Sequence, residues 1–440
     1  MVRLSLSMIV KNEAQNLAHC LDSVRDLVDE MVILDTGSTD GTVEIARGYG
    51  ACVESFTWID DFAAARNACL EHCTGDWILV LDADEAIDSA DHAAIRTAIE
   101  STSAQGLMLW MRNYLRTGAF MGCSGEAQAN DGHYREGSTF SHHISRRALR
   151  LFRRQGEPVY RGRVHELAET YFDEHHLPLE DLEAVIHHYG KTDMDRDMAK
   201  QAEYTRMAKA EAAARPEDLD AHYNVIQEGL MIEDWAAVLA SAKAFLALRD
   251  RAPLLVYLGA AMACQGLGRS AEALDYLQPV LAQEPDHPAA LCVKGEALAS
   301  LGRTAEAQQA LLAAMERNPA FTLPFLKLAE LLERCGDLEN ARSVLEAGLD
   351  QNPKDLVLWT HLVALSARKA PDRVAADAWD AIQAVPDGGK GVWHLIVAHH
   401  LLASGAQQEA CLVLERGLAV FPDHAELRAA LEAARIRAHP

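Results

Sequence analysis

The sequence predicts an α/β domain at the N-terminus followed by an all-α array, and two observations separate the halves. Residues 1 to about 85 alternate strand and helix signals joined by short links. From about residue 200 the chain becomes rich in alanine and leucine, with prolines recurring at 216, 253, 285, 319, 353, 386 and 422. A chain of 440 residues is also too long for one comfortable core, so two or three domains are expected.

In the first half, "LSLSMIV" (4–10) predicts a strand and Asn16 to Val28 an amphipathic helix. "MVILD" (31–35) predicts a second strand, followed by a helix from Thr39 to Tyr49 capped by Ser38 or Asp40. "ACVES" (51–55) is a third strand, residues 62–73 a helix, and "WILVL" (77–81) a fourth strand. Such alternation predicts a parallel sheet with helices on both faces. Ligands of such sheets bind beyond the carboxyl ends of the strands. That rule points to Glu13, Asp35, Asp82 and Asp84.

In the second half, the 285→319 and 319→353 gaps are both 34 residues. Gly302, Ala307 and Ala314 precede Pro319 at the offsets that Gly336, Ala341 and Gly348 keep before Pro353. Gly405, Ala410 and Gly417 hold the same places before Pro422. Glycine turns the chain between paired helices, small residues let them approach, and proline opens the next unit. This spacing resembles tetratricopeptide repeats over roughly residues 216–440, the remaining gaps being off period by one to three residues. The resemblance implies a superhelix of helix pairs whose concave face holds a peptide or protein. The plainer role for such an array is to cap the first domain or to form a homodimer contact. Residues 191–215 read as one stiff linking helix, which leaves 1–190 as the first domain.

The formal charge of −24 argues against nucleic acid or an anionic membrane as the main partner. Nine cysteines without a CxxC pair fit a reducing compartment, so a cytoplasmic location is expected. No uncharged run approaches membrane-spanning length, and no transmembrane segment or signal peptide is expected.

Four pieces carry the chemistry: "VKNEAQNL" (10–17), "DTGSTDGT" (35–42), "DDFAAARNACL" (60–70) and "LDADE" (81–85). In this order they resemble the family-2 glycosyltransferases, which have a Rossmann-like nucleotide-sugar fold of the GT-A type and a DxD motif. With a helical repeat tail, the chain is similar to a bacterial subgroup that includes peptide S- and O-glycosyltransferases of the glycocin type. The resemblance implies a metal-dependent, inverting transfer of a hexose or N-acetylhexosamine. The donor would be a nucleotide-diphosphate sugar, with UDP as the nucleotide, and the acceptor a peptide or protein side chain. A lipid-linked or cell-envelope glycan is the alternative acceptor, and a non-catalytic repeat scaffold the alternative from another class.

The resemblance also implies roles. Val10 (through its backbone), Lys11 and Glu13 meet the base and ribose, with Ser38 and Asn67 further nucleotide-sugar contacts. Asp35 accepts from a pyrimidine imide, oriented by Arg66, although capping the next helix is its ordinary alternative. Asp82 lies against the ribose or donor sugar. Asp84 holds Mn²⁺ or Mg²⁺, joined by His188 or, as substitute, His187. A divalent cation suits this role because carboxylates alone cannot stabilise a departing diphosphate. If the strand runs on through "LDADE", Asp82 and Asp84 point the same way. Glu85 reads as a solvated turn residue. Glu166 in "RGRVHE" replaces the family's usual aspartate as the base that takes the acceptor's proton. The arginines between 146 and 163 read mostly as a solvated strand face. "VHE" with Glu169 at the second histidine's place is not an HExxH zinc motif. No Gly-Lys-Ser/Thr follows Gly37 and Gly41, which excludes a P-loop. Cys69 and Cys73 share a helical face and read as core.

Overall fold

The computed structural model describes all residues except 1, 116–120, 123–124, 131, 135–136, 138–139, 165, 190–193, 250, 370–372, 385–390, 404 and 439–440. The first four strands are β1 (Leu4–Val10), β2 (Glu30–Asp35), β3 (Cys52–Ser55) and β4 (Trp77–Val80). Helices α1 (Leu17–Val24), α2 (Thr42–Gly48) and α3 (Phe62–His72) alternate with them. The strands lie in the order β3-β2-β1-β4, all parallel, with Val10 beside Asp35 at the carboxyl ends.

Beyond β4 the sheet departs from the expected parallel arrangement. The chain continues through β5 (Glu85–Ile87), α4 (Ser89–Ser101), β6 (Gly106–Leu115), the short β7 (Met121–Gly122) and β8 (Gly125–Glu126), which pair only with each other, and β9 (Gln128–Ala129), then β10 (His142–Arg153), α5 (Glu169–Glu174) and β11 (Leu179–His188). The spatial order is β4-β10-β6-β11-β5, with β10 antiparallel to β4 and β11 parallel to β6 but antiparallel to β5. β10 and β5 enter the sheet without a helical crossover from a parallel neighbour, which strand–helix alternation could not reveal.

Period-2 patterning divides the core between the sheet's faces. Leu4, Leu6, Met8, Leu79 and Leu81 pack with Leu17 and Leu21 of α1 and Ile95 and Ile99 of α4. Val32, Leu34, Ile78 and Val80 pack the other way, with Ala65 and Cys69 of α3 and Phe172 of α5. Cys69 and Cys73 are both core residues, as their shared face predicted.

The remaining helices are α6 (Met194–Ala214), α7 (Leu219–Met231), α8 (Trp235–Leu248), α9 (Leu254–Gly266), α10 (Ser270–Gln283), α11 (Pro288–Ser300), α12 (Thr304–Arg317), α13 (Leu323–Arg334) and α14 (Leu338–Gln351). They continue as α15 (Leu356–Lys369), α16 (Val374–Ala384), α17 (Val392–Ala403), α18 (Gln407–Val420) and α19 (Ala425–Ala438). From α10 to α16 each helix packs on the next, as tetratricopeptide repeats do. Gly302, Gly336 and Gly405 make the turns at φ +75°, +79° and +84°, a region costly for residues with a Cβ. Gly348 sits where a Cβ would meet Leu358 and Phe325 at 3.0 Å. Among the described residues no helix is long and apolar enough to cross a membrane.

The chain forms two compact units. One comprises Met1–Tyr114 with Ile144–Gly259, and the other Leu115–His143 with Ala260–Pro440. Helices α6 to α8 therefore group with the sheet. In the second unit, the ring of His142, 1% exposed, donates through Nε2 to Asn352 Oδ1 at 2.9 Å.

Candidate active site

Strand β4 ends at Val80, and the chain turns instead of running on through Asp84. The Asp82 carbonyl accepts from the Glu85 N–H (3.0 Å), while the Glu85 carboxylate accepts from the Asp82 N–H (2.8 Å). This closed turn overturns the expectation that the two aspartates share one strand face, because each now points towards partners of its own. Asp82 accepts from Arg66 Nη2 at 2.9 Å through Oδ1 and lies 3.4 Å from Arg150 Nη2 through Oδ2. Asp84 Oδ2 lies 3.3 Å from His188 Nε2.

Glu85 is not a solvated turn residue. It is 1% exposed and accepts from Arg150 Nη2 at 2.9 Å. Burial pushes its carboxyl above the usual range, the Arg150 charge pulls it back, and Asp82 adds to the rise. Its surroundings come from β5, whose register with β11 sets Glu85 opposite His188. The same register makes His188, not His187, the neighbour of Asp84, since successive side chains alternate across a strand. His187 instead points to the Tyr114 hydroxyl, at 2.7 Å from its Nδ1. β11 also pairs His188 with Asn113 on β6, whose Oδ1 lies 2.6 Å from Nδ1 and directs Nε2 to Asp84. Burial disfavours a charged His188, but the Asp84 hydrogen bond and the charges of Asp84, Glu85 and Asp82 raise its pKa overall.

Arg66, on α3, bridges two carboxylates rather than orienting Asp35. Its Nε donates to Glu166 Oε1 at 2.5 Å while Nη2 holds Asp82. Its Nη1 is buried without a hydrogen-bond partner among the described residues. Burial opposes the guanidinium charge, but Asp82 and Glu166 keep it bound well above the ordinary arginine value. The planar fork can serve both acids at once, which a lysine could not.

At the other strand ends, two loops zip together. The Asn12, Glu13 and Ala14 N–H groups donate to Ser38 Oγ, Thr42 Oγ1 and Asp40 Oδ2. The Asp35 carboxylate accepts from the Gly37 and Ser38 N–H groups within its own loop, so it does not cap α2, whose N-cap is Gly41 rather than the expected Ser38 or Asp40. The Val10 carbonyl accepts from the N–H and hydroxyl of Thr36. Asn67 clamps the chain opposite α3, its Oδ1 accepting from Val159 and Tyr160 and its Nδ2 donating to the Tyr160 carbonyl.

A cavity of about 1160 Å³ lies over this cluster, and all its described lining residues belong to the first unit. Val10, Lys11, Glu13, Arg66, Asp82, Asp84, Glu166 and His188 all reach its lining. Asp35, Ser38, Asn67 and His187 do not; they hold the strand ends and the chain around it. Arg146, Ala148 and Arg150, alternate residues of β10, line it too. The expected solvated arginine face is thus in part a cavity wall, and the period-2 spacing in "SRRALRLF" was the signal. Asn113 had no local sequence signal.

The site offers one carboxylate and one oriented imidazole, an N/O pair suited to Mn²⁺ or Mg²⁺. Among the described residues no group of three or more acidic, histidine or cysteine side chains gathers into a closed cage.

Residues 5–138 match the family model described as glycosyl transferase family 2, and residues 266–323 and 323–365 match tetratricopeptide repeat models. A TPR repeat-containing protein of Synechococcus elongatus is 48% identical over 104 residues, covering 24% of this chain and 26% of that protein. The SPbeta prophage-derived glycosyltransferase SunS of Bacillus subtilis is 27% identical over 177 residues, covering 40% of this chain and 36% of that protein. The matched segments thus span about a quarter to a third of these relatives. Among solved structures, S. aureus TarS 1–349 aligns over 78% of this chain and 90% of that one, at 13% identity and a TM-score of 0.32.

Proposed function

We propose that this chain, which carries an N-terminal domain of glycosyl transferase family 2 and C-terminal tetratricopeptide repeats, transfers a hexose or N-acetylhexosamine from a UDP-sugar to a peptide or protein side chain. The observation that carries the proposal is the meeting of Asp82, Asp84, His188 and the Arg66–Glu166 pair around one cavity. Val10, Lys11 and Glu13 form its nucleotide end. Asp84 and His188 would hold Mn²⁺ or Mg²⁺. When bound, the cation supplies positive charge against the negative charge that builds on the departing diphosphate.

The protein's own groups do the rest. Glu166 takes the proton of the acceptor hydroxyl or thiol as that atom attacks the anomeric carbon. The new bond forms as the sugar–diphosphate bond breaks on the opposite side, so configuration inverts. Arg66 fixes Glu166 and Asp82 in register with each other. Asp82, held by two arginines, presents an ordered edge to the donor sugar. Tetratricopeptide repeats are protein-binding elements, and here they would bring the acceptor.

Intact-mass analysis of candidate peptides and proteins, incubated with a panel of sugar nucleotides and Mn²⁺, tests the activity. A mass increase of one hexose or N-acetylhexosamine is expected. Asp84→Ala should abolish it while the circular dichroism spectrum stays that of the native chain. Full activity of that variant in the presence of a chelator would refute the metal assignment.

A further inference from the structure

Resting on the glycosyl-transfer reading, we propose that the cavity wall formed by α5, α6 and α7 is the acceptor end, and that it takes a cationic peptide segment whose lysine or arginine side chains meet the carboxylates there. The charge balance of the cavity motivates this. Among its described lining residues are eleven carboxylates against six lysines and arginines. The two signs are unevenly placed. At the donor end, Lys11, Arg66 of α3, and Arg146 and Arg150 of β10 stand against six carboxylates, three of which (Asp82, Glu85 and Glu166) are held by Arg66 and Arg150.

The opposite wall is acidic. Glu174 closes α5, Glu203 and Glu211 lie on α6, and Asp218 and Asp220 open α7. Two guanidiniums on this side are already engaged. Arg161 pairs with Glu174 at 2.5 Å, and Arg215 lies 3.4 Å from both Glu211 and Asp218. Arg206 comes to 4.0 Å of Glu203, but its nearer partner is Asp60, at 2.9 Å. After these pairings the wall remains net negative.

Aromatic rings run between the two ends. Trp58 meets Phe62 edge to face at 4.7 Å, and Phe62 meets Tyr204 of α6 at 5.2 Å. Ring faces suit the aliphatic stems and charged heads of lysine and arginine. Leu167, next to Glu166, leaves 45% of its surface exposed and lines the same cavity. Where the ends join, Arg66 reaches the cavity lining while its guanidinium stays committed to Asp82 and Glu166. An acceptor polymer carrying phosphates or carboxylates would be repelled by this wall, whereas a basic peptide is attracted and oriented by it.

The test uses the full chain and labelled heptapeptides centred on serine or cysteine, flanked by lysine, by glutamate or by uncharged residues. Fluorescence anisotropy reads binding at low and high salt, and mass spectrometry reads transfer. The lysine-flanked peptides should bind at least tenfold more tightly than the glutamate-flanked ones at low salt, and the gap should close as salt rises. Glu203→Lys/Asp220→Lys, at two exposed positions, should reverse the preference. The milder Glu203→Gln/Asp220→Asn should only flatten it, and it guards against misfolding of the first variant. No charge preference in the wild type, no binding of any peptide, or a preference untouched by both variants would overturn the proposal. Consumption of a sugar nucleotide by the wild type without any such preference would sink the acceptor assignment alone. A wild type that consumes none of the panel would sink the glycosyl-transfer reading beneath it.

Discussion

Replacing Glu85 by glutamine isolates the residue that closes the Asp82–Asp84 turn. The glutamate makes two charge-assisted bonds from a site 1% exposed, one from Arg150 and one from the Asp82 N–H. A glutamine amide can accept from only one of these donors and must turn its own NH₂ towards the other. The loss of one charge-assisted bond costs about 1.5–3 kcal/mol. Arg150 keeps part of its compensation through Asp82, 3.4 Å away, so a net destabilisation of about 2 kcal/mol is expected. With a urea dependence of roughly 3 kcal/mol per molar for a unit of this size, the unfolding midpoint should fall by roughly 0.7 M. Urea titration followed by tryptophan fluorescence measures it. Donor turnover should fall at least tenfold in the same variant, because the turn that presents Asp84 loosens. A midpoint shift under roughly 0.2 M is what a solvated turn residue would give, and it would refute this account of the turn.

Arg66→Lys should lower kcat/KM for donor turnover by roughly 100-fold, because a single ammonium cannot span Asp82 and Glu166 as the fork does; steady-state kinetics measures it, and a change under threefold would contradict the bridging role. Burial lowers the His142 pKa from its ordinary 6.5, with the Asn352 bond and the Asp355 charge opposing. The folded ring therefore resists a proton that the unfolded chain accepts, so stability is full above about 6.5 and falls as pH drops below it. The wild-type Tm should drop more steeply between pH 7.5 and 5.5 than that of His142→Gln, and parallel curves would exclude this linkage. Gly348→Ala should cost about 1–3 kcal/mol by pressing a methyl group against Leu358 and Phe325, seen as a lower Tm by circular dichroism. Gly302→Ala, strained at φ +75°, should cost about 1 kcal/mol in the same assay.

The sequence by itself determined the elements whose signal is local. Period-2 and helical runs located the first four strands and α3 closely, because each buries its apolar side over a short contiguous stretch. The 34-residue spacing located the turn glycines of the repeats, because a left-handed turn at a fixed offset selects the same residue each time. It also singled out Asp82, Asp84, Glu166 and His188, all of which the fold gathers around one cavity. Only the tertiary structure decided the partners. That Arg66 serves Glu166, 100 residues away, rather than Asp35 depends on how α3 packs against the chain before α5. That His188 and not His187 faces Asp84 depends on the register of β11 with β5 and β6, which a one-residue slip would invert. The burial of Glu85 likewise requires Arg150 to arrive on an antiparallel strand inserted beside β4. Pairings across a sheet and between distant segments are properties of the packed chain, and no local pattern encodes them.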